Sequence, residues 1–240
     1  MVEKVNHSGK LYLIPTTLGD NEPLEVLPIS IKRAIENIDY YIVENEKTAR
    51  KSIKKISSGK SQPSLQIEVL NKYTEQQVIP DYLKPCLEGH DVGILSEAGC
   101  PGIADPGAEV VKIAHEKGIQ VVPLVGPSSI FLALMASGMN GQNFAFKGYL
   151  PIETPDRKRA LKQMEKISID EQQSQICIET PYRNDKFLAE ILKTLSNQTL
   201  LCIACDITLP TEYIQTKTVA DWKKTPVDLH KRPAIFIVQG

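Results

Sequence analysis

A chain of 240 residues, 42% of them hydrophobic, is long enough to bury one large core or two modest ones, and that composition excludes wholesale disorder. Its 28 Lys and Arg against 29 Asp and Glu exclude the global charge of a nonspecific nucleic-acid binder, so any nucleic-acid contact has to be a local patch. No stretch approaches the roughly 20 apolar residues of a membrane helix, residues 1–6 lack a secretory apolar run, and five scattered cysteines favour reduced thiols; the expected location is the cytoplasm.

In chain order, the first half alternates short apolar runs with stretches of helical period. Strands are predicted at 11–14, 40–43, 92–95 and 121–124, and helices at 29–37, 48–57, 82–88 and 108–117, the last closed by Lys117 and Gly118. The alternation implies a parallel sheet with helices on both faces. Residues 58–63, rich in Ser, Gly and Lys, read as a surface loop.

The second half opens with an apolar helix at 130–136, followed by strands at 144–149, 175–179, 200–207, 212–216 and 234–239. Two of these follow each other across Leu209-Pro210-Thr211 with no room for a helix, which points to an antiparallel pair in a mixed sheet. Two α/β domains are therefore expected, 1–125 and 126–240, with the boundary near Val125-Gly126-Pro127. Cys202 and Cys205 have the spacing of a metal site, but three positions apart on a strand they point to opposite faces, so no metal is expected there.

Three loops carry chemistry. Residues 95–107 place three Gly and two Pro directly between a strand and a helix, a tightly turned backbone at the position where open α/β sheets bind ligands. The bland alternative is a long turn in which Asp105-Pro106 starts the next helix. Pro15-Thr16-Thr17-Leu18-Gly19-Asp20 follows the first strand; if that strand neighbours the Ser96 strand, both loops face one crevice. The third loop ends at Ser128-Ser129, where a helix cap and a ligand contact are equally open readings. Neither a dinucleotide fingerprint nor a P-loop is present.

These loops, together with Phe146-Lys147-Gly148-Tyr149-Leu150-Pro151 and Ile178-Glu179-Thr180-Pro181-Tyr182-Arg183, resemble the tetrapyrrole methylase superfamily. Within it the chain is most similar to the ribosomal RNA small subunit methyltransferase I family, which 2′-O-methylates a 16S cytidine, and the resemblance runs from Leu11 to Gly240. It implies an S-adenosylmethionine-dependent methyltransferase, a homodimer, and a donor bent in the cleft between the two domains. The donor-binding residues it implies are Pro15, Thr16, Leu18, Gly19, Ser96, Glu97, Ala98, Gly99, Pro101, Gly102, Ser128, Ser129, Thr180, Pro233 and Ala234.

The sequence also departs from the family. Glu44-Asn45-Glu46-Lys47 keeps the first carboxylate of an acidic-Asp-Thr-Arg stretch and loses the second. Cys205-Asp206-Ile207-Thr208-Leu209 replaces Arg-Glu-Leu-Thr-Lys, so two cations suited to RNA phosphates are gone; Thr17 replaces a proline, and a small C-terminal extension is missing. Transfer of a methyl to a hydroxyl profits from a carboxylate near the proton, and Glu44 and Glu179, each ending an apolar strand, are the candidates, against solvated strand-end carboxylates. Arg157-Lys158-Arg159 with Lys162, and Arg183, are the cations expected to meet a ribosomal RNA or subunit partner. A methyltransferase for a tetrapyrrole or other small molecule, and a non-catalytic donor-binding protein, are the alternatives.

Overall fold

The computed structural model describes residues 8–240; the segment 1–6, read above for a leader, lies outside them. The chain divides into two compact units, the first ending at Pro127 and the second running from Ser128 to Gly240.

The first unit comprises β1 (Leu11–Ile14), α1 (Pro23–Val26), α2 (Ile29–Asn37), β2 (Tyr40–Val43), α3 (Glu46–Ile56) and β3 (Gln66–Val69). A 3-10 turn (Ile79–Leu83), α4 (Lys84–Leu87), β4 (Val92–Leu95), α5 (Ala108–Glu116) and β5 (Val121–Pro123) complete it. The five strands form a parallel sheet in the order β3-β2-β4-β1-β5. Alternate strand residues serve opposite cores, as a pleated strand requires. Leu11, Ile42, Val92 and Ile94 pack with Leu83, Val110 and Ile113 on one face, while Ile14, Tyr41, Val43 and Leu95 pack with Ile31, Ile35 and Ile53 on the other. Helices therefore cover both faces, as the alternation predicts.

The second unit comprises α6 (Ser129–Ser137), β6 (Phe144–Tyr149), α7 (Thr154–Asp170), β7 (Ser174–Ile178), a 3-10 turn (Pro181–Arg183) and α8 (Asn184–Thr194). It continues with β8 (Leu200–Cys205), β9 (Tyr213–Thr218), α9 (Val219–Trp222) and β10 (Ala234–Gln239). The sheet order is β6-β7-β10-β8-β9; β6 and β7 are parallel and every other pair is antiparallel, including the expected β8–β9 pair. Cys177, Leu201, Ile203, Cys205, Phe236 and Val238 form one face with Leu161 and Phe187, whose ring meets Phe236 edge-on at 5.0 Å. Cys205 lies in this core and Cys202 points the other way, and all five cysteines are free thiols.

Elements without a predicted span include β3, α1, α8 and α9. β3 is a polar edge strand, Gln66-Ile67-Glu68-Val69, without an apolar run, and α1 is a single turn started by Pro23. The helix expected at 82–88 is a 3-10 turn running into α4, because Pro85 interrupts the regular hydrogen-bond ladder.

Candidate functional site

In the first unit, β1 and β4 lie side by side in register, Ile14 opposite Leu95, so the loops that follow them start at the same level. The chain leaves β1 toward α1 and α2 on one face and leaves β4 toward α5 on the other. Neighbouring strands whose connections depart to opposite faces open a crevice at their carboxyl ends, the usual ligand position in such sheets.

Hydrogen bonds hold the two loops together. Thr16 N–H donates to Gly99 O at 3.0 Å, its hydroxyl donates to Ser96 O at 3.2 Å and lies 3.3 Å from Ser96 Oγ, and Ser96 Oγ donates to Gly99 O. Gly99 has φ +75, a left-handed conformation that excludes a β-branched residue, and a Cβ there would lie 3.1 Å from Leu18 and 3.3 Å from Pro127 O. A Cβ on Gly126 would fall 2.2 Å from Pro15, so the loop after β5 closes on the loop after β1. Cys100 Sγ is 3.4 Å from Pro127 O and locks the same junction.

The rim thus gathers Pro15, Thr16, Leu18, Gly19, Ser96, Glu97, Ala98, Gly99, Pro101 and Gly102 within one unit. Glu97 and Ala98 are exposed and their amides have no backbone acceptor among the described residues, while Gly102 borders open space. A ligand carrying hydroxyl or carboxylate oxygens fits such free N–H groups.

Beside this rim the structure assembles a carboxylate group that sequence reading missed. Glu44 ends β2, Glu97 follows β4, and Asp105, read above as a helix start, instead hydrogen-bonds Glu44; the residue before α5 is Gly107. Burial, then the contact with Glu44, then the charge of Glu97 push Asp105 up to about 8. At about 8, the Asp105 carboxyl favours its protonated form at neutral pH. Thr48, in the first turn of α3, donates to Glu97, and Asn45 caps α3 by accepting from Lys47 and Thr48 N–H. Glu44 and Asp105 lie 61 positions apart, and only the β2–β4 pairing brings them together.

In the second unit, Glu179 is buried at the end of β7. Its Oε1 accepts from Thr180 N–H at 2.6 Å, Arg183 Nη2 at 2.7 Å and Arg183 Nε at 3.1 Å. Glu179, expected as a base candidate, is thus engaged by the Thr180 amide and by Arg183, which it positions. Thr180 hydroxyl also accepts from Arg183, at 3.0 Å. The Asp206 carboxylate accepts from Arg232 Nε at 2.7 Å and its backbone N–H donates to Pro233 O, next to Ala234, while Asn184 donates to Arg232 O. Thr180, Pro233 and Ala234 therefore share one end of the β7-β10-β8 sheet. Ser128 precedes α6 in cap conformation, yet its side chain makes no capping hydrogen bond, which leaves the hydroxyl free for a ligand.

The expected cationic face on α7 needs a second correction. Arg157 is buried, 4% exposed, and forks onto Glu190 through Nε and Nη2, with Glu190 held below its usual carboxylate range by that guanidinium. Its i, i+4, i+7 spacing to Leu161 and Met164 turns Arg157 inward, so it is not available to RNA. Arg159 is exposed and paired with Asp156.

Residues 10–222 match the family described as Tetrapyrrole (Corrin/Porphyrin) Methylases. The chain belongs to this family. It is an S-adenosylmethionine-dependent methyltransferase of the tetrapyrrole methylase type. Among relatives, it is 28% identical over 238 residues to the ribosomal RNA small subunit methyltransferase I of Escherichia coli O157:H7, covering 98% of this chain and 79% of that one. It is 30% identical over 190 residues to the protein of the same name from Halalkalibacterium halodurans, covering 79% and 62%. The fold matches the methyltransferase CobJ with a TM-score of 0.64 at 13% identity (97% and 95% covered). It also matches the cobalt precorrin-4 methyltransferase CbiF with 0.61 at 16% identity (96% and 94% covered).

Two outcomes test the tetrapyrrole methylase site as described. Arg157→Ala leaves Glu190 uncompensated and should destabilise the protein by about 3–5 kcal/mol in urea unfolding, with no selective effect on a substrate. Because Asp105 is raised when folded, its protonated form stabilises the protein fully below the unfolded value of about 4, and this is lost as pH rises to about 8. Over that window the unfolding midpoint of wild type should fall relative to Asp105→Asn, whose amide keeps the donor without ionising; parallel curves would contradict the assignment.

Proposed function

We propose that the protein transfers the methyl of S-adenosylmethionine to the 2′-hydroxyl of a cytidine in small-subunit ribosomal RNA. The observation that carries the donor reading is the pair of free amides, Glu97 and Ala98, at the β1–β4 rim. The acceptor reading is supported by relatives of about 28–30% identity that are named ribosomal RNA small subunit methyltransferase I.

When bound, the donor supplies an electrophilic methyl on a sulfonium, and the protein's task is alignment of nucleophile, methyl and sulfur. In the proposed arrangement the Glu97 and Ala98 amides and the Pro15–Gly19 loop hold its polar groups. Pro101 and Gly102 border it; Ser128, Ser129, Thr180, Pro233 and Ala234 are the donor candidates within the second unit. Glu44 is the remaining base candidate: with Asp105 protonated beside it, the pair retains one negative charge for the departing hydroxyl proton. Arg159 and Arg183 remain substrate candidates at the surface. The homodimer is part of the proposal, and Phe131 and Met135, one turn apart on α6 and 56% and 78% exposed, offer an apolar face for it.

The alternative, a tetrapyrrole or other small acceptor, has one observation in its favour: the second unit engages Arg157, Arg183 and Arg232 in internal ion pairs. Among the described residues no helix is long and apolar enough to cross a membrane. Purified protein, tritiated donor and small ribosomal subunits from cells lacking this protein decide the acceptor. Label is expected in 16S RNA and in 2′-O-methylcytidine after digestion, whereas label confined to a small-molecule extract would overturn the RNA reading.

The donor itself should stabilise the protein by about 2.7 kcal/mol at a hundredfold excess over its Kd. Gly99→Val forces a β-branched residue into φ +75 against Leu18 and should remove that donor-dependent rise while the protein still unfolds cooperatively. Wild-type donor affinity in this variant would mean that the Ser96–Gly107 loop is only structural.

A further inference from the structure

We propose that the solvent face of α3 is a docking track for the phosphodiester backbone of the RNA acceptor, ending at the β1–β4 rim; the proposal rests on RNA being the acceptor. Residues 46–60 hold six Lys and Arg against one Glu, in a chain whose net charge is −1. This is the local patch that a balanced composition requires of a nucleic-acid binder.

The helix sorts these charges by its period. Ala49, Ile53 and Ile56 are buried against the sheet, and Lys47, Lys51 and Lys54, at i, i+4 and i+7, emerge on the opposite side, fully in solvent. Arg50 and Lys55 flank the stripe but are already engaged, Arg50 by Glu46 and Gln62 O, Lys55 by Asp20 and Asn21 O. Lys47, Lys51 and Lys54 have no carboxylate within ion-pair distance among the described residues.

Seven residues of helix advance by about 10 Å, which matches about three nucleotides stacked at ~3.4 Å. The first turn is fixed to the rim, since Thr48 donates to Glu97 and Asn45 caps the helix beside Glu44. The stripe therefore begins at the carboxylates that border the donor loops and runs outward. Its apolar face is consumed by the core, so insertion into a lipid surface has nothing to insert. On α7 the comparable run is weaker, because Arg157 is buried and Arg159 is paired with Asp156.

The test compares wild type with the triple variant Lys47→Gln, Lys51→Gln, Lys54→Gln, in which glutamine preserves helix propensity. Affinity for a labelled single-stranded RNA oligonucleotide is measured against salt. The triple variant should lose about 2 units of slope in log K against log salt, at ~0.7 per phosphate contact, with an unchanged donor-dependent rise in Tm. An equal slope in wild type and triple variant, with wild type binding steeply, would overturn the α3 track alone. The same loss from Lys158→Gln with Lys162→Gln on α7, and none from α3, would also overturn it. A wild type that binds donor but shows no salt-dependent RNA affinity would remove the RNA reading itself, and the track with it.

Discussion

The parallel pairing of β1 with β4 is the constraint on which the first unit's site depends. Register places Ile14 opposite Leu95, and the next residues of both strands must then turn at the same height. Their connections leave to opposite faces, so the backbone cannot close over the gap and a crevice remains. Thr16 spans it with a backbone N–H and a hydroxyl that both reach the Ser96–Gly99 turn, 80 positions away in the chain. Buried polar groups in that turn have to be satisfied by partners, and Thr16 and Ser96 satisfy each other. The free amides of Glu97 and Ala98 follow from the same geometry, because a turn folded back onto Thr16 directs its remaining donors outward.

The two units treat their cations differently. In the second, three arginines each meet a carboxylate: Arg157 on Glu190, Arg183 on Glu179 and Arg232 on Asp206. Glu190 and Asp206 are largely withdrawn from water, and such pairs act as struts whose removal costs more than their net contribution. Asp206 stands where the family pattern has Glu, and its shorter side chain still reaches Arg232 and Thr211. In the first unit Arg50 and Lys55 are paired as well, but α3 leaves Lys47, Lys51 and Lys54 exposed and without a carboxylate in ion-pair distance among the described residues.

Much of this fold is legible in the residues because its strands are short, apolar and punctuated by Gly and Pro. β1, β2, β4, β6 and β10 are readable from hydropathy alone, and the absence of helix length between β8 and β9 reveals the antiparallel pair. β3 is not legible: an edge strand with one solvated face needs no apolar run, and Gln66-Ile67-Glu68-Val69 has the pattern of a loop as much as of a strand. The rim loops are legible because backbone shape demands Gly and Pro. Side-chain partnerships are not, since they depend on long-range register. Asp105 meets Glu44 only after β2 pairs with β4, and Arg157 looks solvated in a run of cations until the phase of α7 turns it toward Glu190.

This division bears on what the fold says about the acceptor. A rim made chiefly of backbone amides and left-handed glycines places little demand on side-chain identity, and methyltransferases of 13–16% identity keep the same fold. Selectivity for an acceptor must then come from the side chains at the rim. Three carboxylates, Glu44, Glu97 and Asp105, would repel a phosphate backbone if all were ionised. Burial beside Glu44 raises Asp105 to about 8, so the rim presents less negative charge at neutral pH than its composition implies. The α3 lysines stand on the element that Thr48 ties to that rim. The Thr48–Glu97 hydrogen bond therefore fixes the cationic helix beside the β1–β4 rim.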